Sequence, residues 1–444
     1  MAKKACNFPT SLDTLDTDRT AGQVITSDSY DVIENAITEV EKYIFPNKII
    51  YPQDYATGTG TSGDPWMGDC LNDAYTACPT GGTIYMRAGY YEATTGTPCI
   101  TINKPINIIG AGIGKTFLVT ASDMHGIYMG DTATNYVTLQ GFTLDGDAQL
   151  SDSWWGITCV GGDSYLTFRN LEVKNCGKYG IDSNKVNYSL FENLWLHDNG
   201  TIGLHPGAND TGWNKYNIYR NIYAYDNTTA GISDVGNQSL PNEYLYNVYE
   251  NVHAWGNTSQ GIQVTNQRGL TINNCSAIDN GFGGFSLYDV EDVNISNCIA
   301  NLNQYMGVGI ESSNKVNLTN VIAKNNNCSS GFRAGFNLKN TTYATLTSCQ
   351  GYDDRTPKLQ DYGLDTEGTT NYVYLVETNL SENLGGNIYN GSSGTITVLK
   401  GVVDGDAPTV GDIQYHNGTN WVRLAKGSSG QVLTMSTGNT PEWA

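Results

Sequence analysis

Charge is scarce in this chain, and basic charge scarcer still. Only 15% of the 444 residues are charged, and 24 bases face 44 acids, for a net charge of −20. A nucleic-acid binder needs a basic stripe, which this balance excludes. It equally disfavours adhesion to an anionic membrane surface. No run approaches 18 apolar residues, so nothing in the sequence reads as a membrane span. The first residues, MAKKACNFPTSLDTLD, lack the apolar core of a secretory signal. The ten cysteines never form a CxxC pair, so zinc-site spacing is absent. The expectation is synthesis in a reducing cytoplasm, with thiols as core residues. Proline is sparse at 12, whereas Gly numbers 51 and Tyr 29. That composition suits short strands and tight turns.

The middle of the chain repeats. Asparagines recur at Asn170, Asn193, Asn221, Asn251, Asn274, Asn297 and Asn320, spaced 23, 28, 30, 23, 23 and 23 residues. A second Asn follows six residues after all but the first, from Asn199 to Asn326. Each repeat also carries a Gly-hydrophobic pair, such as Gly180-Ile181, Gly203-Leu204, Gly284-Phe285 and Gly309-Ile310. Period-2 alternation over 23 residues excludes a helical hairpin and fits one rung of a parallel β-helix. A rung cannot bury its apolar side alone, so rungs must stack. Asn at the fixed turn tolerates the left-handed conformation and can bond the next rung as a ladder. Val252, Cys275, Cys298, Val321 and Cys349 fall in one inward column.

These features resemble the right-handed, single-stranded β-helix of the pectin-lyase-like superfamily. The segments GGTIYMRAGYY (81–91), INIIGAGIGKT (106–116) and VTLQGFTLDGD (137–147) carry the resemblance, which spans roughly residues 50–400. The expected organisation is an all-β chain in three parts: an N-terminal segment (1–50) with a short helix, the β-helix (51–403) and a small C-terminal β module (404–444). Val32, Ile33, Ala36, Ile37, Val40 and Ile44 would form the apolar stripe of the helix, and HNG at 416–418 signals a hairpin. The start FPTSLDT…EKYI and the ending GQVL…TPEW resemble modules of bacteriophage tail fibres and tailspikes. That resemblance implies a virion tail protein made in the host cytoplasm, a homotrimer that partners other tail proteins and host surface glycan. The alternative is a stand-alone polysaccharide lyase, hydrolase or C5-epimerase.

By the same resemblance, the Gly-hydrophobic strand is the first sheet and carries the site. The residue after each pair points outward. That column reads Thr158, Asp182, His205, Ser233, Gln263, Ser286, Glu311, Asn337 and Asp365. Rungs lie about 4.8 Å apart, so Asp182 and His205 fall within hydrogen-bond reach. The lengthened repeats add chain just after His205 and Ser233, and loops of that kind carry function. Trp154, Trp155 and Trp213 would wall this region as sugar-stacking faces. Tyr179-Gly180-Ile181-Asp182 resembles the YGFD part of the YGFDPH signature of mannuronan C5-epimerases, in which Tyr and Asp are catalytic and a His follows two residues later. Here that position is Asn184, and His205 from the next rung is the substitute. The candidate catalytic residues are therefore Tyr179, Asp182 and His205. Trp154, Trp155, Trp213, Asn184, Ser233 and Gln263 are the candidate substrate contacts.

Other features compete. Trp195, Tyr223 and His253 form one outward column, and His197, Tyr225 and Trp255 another, expected as a subunit interface ahead of a glycan platform. Arg169, Glu192, Arg220 and Glu250 alternate as an ion ladder. GAGIGKT lacks Walker spacing. No cofactor is expected; Ca²⁺ at Asp145, Asp147 and Asp152 is a minor alternative. Glu311 and Asp365 are expected too far from other acids to act as a glycosidase pair.

Overall fold

The computed structural model describes residues 49–67, 70–93, 98–120, 124–130, 132–147, 154–207, 214–236, 245–326, 334–400, 413–416, 421–424, 426–438 and 440–444. The helix expected within residues 27–45 and most of the two long loops lie outside them. The described chain is a right-handed parallel β-solenoid of about 11 turns with very little helix.

Each rung contributes a strand to a twelve-stranded parallel sheet, running from Ile100–Ile102 to Gly386–Ser392. This is the first sheet, and it carries the Gly-hydrophobic pairs. The remaining strands stack on the other faces. Early rungs use a single eight-residue strand there, such as Leu190–His197; later rungs split it, as in Glu291–Ser296 and Ile299–Asn301. The repeating Asn marks the corner. Asn170, Asn193, Asn221 and Asn251 sit at φ 51–55°, the left-handed conformation that turns the chain. Their side chains form an outer ladder, with Asn193 Nδ2 donating to Asn170 Oδ1 at 3.0 Å and Asn221 to Asn193 at 2.9 Å.

The second Asn set makes an inner ladder running the other way. Asn199, Asn227, Asn257, Asn280 and Asn303 each donate Nδ2 to the Oδ1 of the next at 2.9–3.0 Å. Gln360 takes over after Asn326. These amides are buried and bond turn backbone that would otherwise be unpaired. A third column was not anticipated: Tyr136, Tyr165, Tyr188, Tyr216 and Tyr246 stack at 4.9–5.5 Å on the turn after the first sheet. All five have φ of 51–59°, which costs a bulky residue about 1–2 kcal/mol. Ring stacking offsets part of that cost.

The interior is one continuous apolar core, in which Phe191, Tyr219 and Tyr249 stack in a file and Phe168 meets Phe191 edge-on. Val252, Cys275, Cys298, Val321 and Cys349 are buried as the inward column. One helix, Cys70–Ala77, was not foreseen; it sinks Cys70, Leu71 and Ala74 into the N-terminal end of that core. Lys104 Nζ donates to the Tyr75 and Cys78 carbonyls, a cation at the helix C-terminus. The HNG signal falls at a real hairpin: Ile413–His416 pairs antiparallel with Trp421–Leu424, and Leu433–Met435 with Pro441–Trp443.

On the outer face the aromatic columns have the expected register, Trp195↔Tyr223↔His253 and His197↔Tyr225↔Trp255. Their rings stack face to face at 4.5–5.4 Å. The faces a sugar would need are thus spent within the columns, and edges face outward. The ion ladder forms as well, with Arg169–Glu192 at 3.0 Å and Arg220–Glu250 at 2.8 Å. Partly exposed pairs of this kind contribute at most about 1 kcal/mol each.

Candidate active site

Two neighbouring first-sheet strands, Tyr179–Asn184 and Ile202–Gly207, build the site. Their register pairs Asp182 with His205, and alternation turns both away from the core. His205 Nδ1 lies 2.9 Å from Asp182 Oδ1. A carboxylate only accepts, so Nδ1 is the nitrogen that donates in this bond. Asn184 Nδ2 donates to the same Oδ1 at 2.8 Å. Asn184, at the motif position where the resembling family has His, thus helps fix the carboxylate. The Tyr179 ring stacks on the His205 ring at 4.4 Å. Burial, followed by the charge of Asp182, pushes the Tyr179 phenol upward, so it is a proton donor rather than a phenolate at neutral pH.

The first correction is that outward placement on this sheet does not mean exposure. Asp182 is only 4% exposed and Thr158, its partner on the preceding rung, 1%. The Thr158 hydroxyl is buried with no hydrogen-bond partner among the described residues. The site is a recess whose floor is polar. A second correction concerns register. Phe285 pairs with Val308, so the Gly-hydrophobic pair of that rung is Gly307-Val308 and Gly309 occupies the outward column. Glu311 sits two residues further on, beside Tyr288 and Lys339. The sequence holds two Gly-hydrophobic pairs two residues apart there, and alternation alone could not choose between them.

Of the expected substrate contacts, Ser233 and Gln263 continue the column, with Ser233 Oγ donating to Gln263 Oε1 at 3.2 Å. Trp154 and Trp155 wall one side, and Trp213 lies outside the described residues. The wall includes a residue missed in the sequence: His125. It stacks on Trp155 at 4.5 Å and meets Trp154 edge-on at 5.0 Å. The signal was present, because His125 precedes Gly126-Ile127, the Gly-hydrophobic pair of one further rung. The Trp155 backbone N–H donates to His125 Nδ1 at 3.3 Å, and burial lowers the imidazole pKa, which favours its neutral form. Lys178 Nζ hangs over the Trp155 and Tyr179 rings, 5.4 and 4.9 Å from their centroids. It supplies the positive charge beside Tyr179. Asp145 accepts from Asn175 at 2.8 Å and lies 3.6 Å from Lys174, while Asp152 lies outside the described residues.

Such an arrangement can move a proton. An orienting carboxylate, an imidazole and a phenol donor stand together beside a cation. The fold is that of a right-handed β-helix protein. The chain belongs to the Right handed beta helix region family, whose model matches residues 125–350 and 260–424. It is 29% identical over 169 residues to mannuronan C5-epimerase AlgE2 of Azotobacter vinelandii. That match covers 34% of this chain and 17% of the relative's length. Among solved structures it resembles the A-module of Azotobacter vinelandii mannuronan C-5 epimerase AlgE4, with TM-score 0.64 and 20% identity over 81% of this chain and all of that one. The pre-mature gene product 12 of bacteriophage phi29 aligns with TM-score 0.56 and 13% identity, over 83% of this chain and 54% of that one. At these identities the structural likenesses establish the fold.

Proposed function

We propose that the recess removes the C5 proton of a hexuronate residue in a polysaccharide, the step shared by C5-epimerases and lyases. The observation that carries this is the 2.9 Å Asp182–His205 bond with Tyr179 stacked on the same imidazole. His205 Nε2 takes the C5 proton, Asp182 holds the ring and balances its positive charge, and Lys178 stabilises the sugar carboxylate as charge builds on it. In epimerisation the Tyr179 O–H returns a proton to the opposite face of C5. In elimination the C4–O bond breaks and the leaving oxygen takes that proton. Ser233, Gln263 and Asn184 hold sugar hydroxyls, and Trp154 and Trp155 line the chain. The partial identity to mannuronan C5-epimerases supports the uronate.

The setting we infer is a phage tail fibre or tailspike that engages host surface glycan, carried in the virion as a homotrimer with other tail proteins. The terminal segments that resemble tail modules support this reading, and so does the outer aromatic face, whose ring edges suit burial against a second copy.

The test is to incubate the full chain with mannuronan in heavy water and follow C5 by NMR together with unsaturated uronate. Deuterium at C5 or a C4–C5 double bond is expected from wild type, falling about 10²–10⁴-fold in His205→Ala. Neither product from wild type, or equal yields from the variant, would refute the reading.

A further inference from the structure

The outward column of the first sheet continues past Gln263 through Ser286, Gly309 and Asn337 to Asp365. Between the two ends the floor is uncharged, with short hydroxyls, amides and one glycine. Asp365 stands six rungs beyond His205, about 29 Å at 4.8 Å per rung. It is not isolated from other acids, contrary to the sequence expectation. Glu367 lies two residues along the same strand and therefore on the same face. Asn337 Nδ2 donates to both, at 3.4 Å to Asp365 Oδ2 and 3.1 Å to Glu367 Oε1. One amide hydrogen-bonding two carboxyl groups brings them into a single cluster.

The two carboxyls have unlike surroundings. Asp365 is 2% exposed, and its Oδ1 is buried with no hydrogen-bond partner among the described residues. Glu367 is half-buried and has Lys339 beside it on the preceding rung, itself paired with Glu311 at 2.8 Å. On the next rung its neighbour is Gly391, and Asp365 faces the exposed Tyr389. An unsatisfied buried carboxyl oxygen costs folding energy, and nothing in rung stacking requires one. Paired carboxyls in contrasting environments are how an acid and a base are set apart in one site.

We propose that Glu367 and Asp365, bridged by Asn337, form a second proton-transfer centre that hydrolyses a glycosidic bond of the same polysaccharide. The assignment rests on reading the first sheet as a polysaccharide floor. The pair holds one proton. Burial, and then the charge of Glu367, push the Asp365 carboxyl up to about 7, so Asp365 stores that proton near neutrality. Glu367, the accessible member, is the catalytic residue; Asp365 acts through it as a positioning residue. The proton passes through Glu367 to the glycosidic oxygen. The anomeric C–O bond breaks and its electron pair stays on the leaving oxygen. Water adds its oxygen to the anomeric carbon, and its released proton returns to the pair. One water is consumed and one reducing end appears. The pair's remaining negative charge repels a uronate carboxylate, so the sugar held here is neutral.

The experiment uses the full chain with two probes: hyaluronan, where hexuronate alternates with a neutral amino sugar, and mannuronan, which is hexuronate throughout. An elimination cut gives one reducing end matched by one unsaturated end, so saturated ends (reducing ends in excess of unsaturated ones) report this centre. Unsaturated or C5-exchanged product reports the other one, so the two readings fail separately. Saturated reducing ends are expected from hyaluronan alone, about 10²–10⁴-fold fewer in Glu367→Gln. Asp365→Asn should move the pH profile of cleavage as well as lower its rate, which a purely structural role would not do. Thermal melts of both variants confirm that they are folded. No saturated ends from hyaluronan, or ends that survive Glu367→Gln, overturns the centre. Glu367-dependent cutting of mannuronan overturns the neutral-sugar assignment.

Discussion

Directly behind the recess, one residue after Ser233, Asp234 points into the core and is fully buried. Its Oδ2 accepts from the Tyr249 hydroxyl at 2.6 Å and its Oδ1 from Gln267 Nε2 at 2.8 Å. Burial raises its pKa from 3.8 to about 7, against the opposing pull of the Tyr249 bond and the charge of His205. The folded state therefore holds a proton between about pH 4 and 7 that the unfolded chain releases. Stability must fall as pH rises through that window, and the loss is complete above pH 7. Three pH units at 1.36 kcal/mol each give roughly 4 kcal/mol as a ceiling. Asp234→Asn mimics the protonated acid: its carbonyl can keep the Gln267 bond, and its amide can donate to the Tyr249 oxygen. The variant should match wild type near pH 4 and exceed it by up to about 4 kcal/mol at pH 8. Urea midpoints for both proteins at the two pH values measure the difference directly. An equal difference at both pH values, or a variant less stable at pH 8, would refute the argument.

Three further outcomes follow from the geometry. Asp182→Asn retains an oxygen where His205 and Asn184 bond but loses the charge that balances an imidazolium; C5 exchange should drop about 10²–10⁴-fold with little change in the melt. Lys178→Ala should raise KM for a hexuronate chain about tenfold, one decade per 1.4 kcal/mol, and leave binding of a neutral glycan unchanged. Asn227→Ala strips the inner ladder of its bonds to Leu196, Asn199 and Asn257, and leaving those buried groups unpaired should cost about 3–6 kcal/mol by denaturant titration.

The repeat made much of this structure legible. A period of 23 residues with Asn at the corner fixes rung, register and outward face together, so Asp182 and His205 could be paired from the sequence alone. Legibility failed where one signal had two readings. Gly307-Val308 and Gly309-Ile310 both satisfy the pair pattern, and the choice depends on which glycine meets the close backbone of the next rung. A Cβ on Gly307 would lie 2.7 Å from the Gly335 carbonyl oxygen, whereas one on Gly309 would meet only the Met306 side chain. The constraint that identifies the inward glycine is a backbone contact between rungs, and hydrophobic alternation within one rung does not contain it.

Polar burial was the other hidden property. Alternation tells which side of a strand a residue occupies, not whether that side is solvated. On the first sheet the outward side is a recess, so Thr158, Asp182 and Asp365 are as buried as core residues. Inward polar residues follow the converse logic: Asp234, Asn247 and Gln267 lie inside the solenoid and satisfy one another. The chemistry of the chain concentrates where these two departures meet. A carboxyl in water is one of 44 and carries no information. Asp365, held out of water beside a second carboxyl, has its pKa raised by burial and then by the charge of Glu367. The rung register supplies the neighbours and burial supplies the loss of water, and the two together set the environment of each pair on the first sheet.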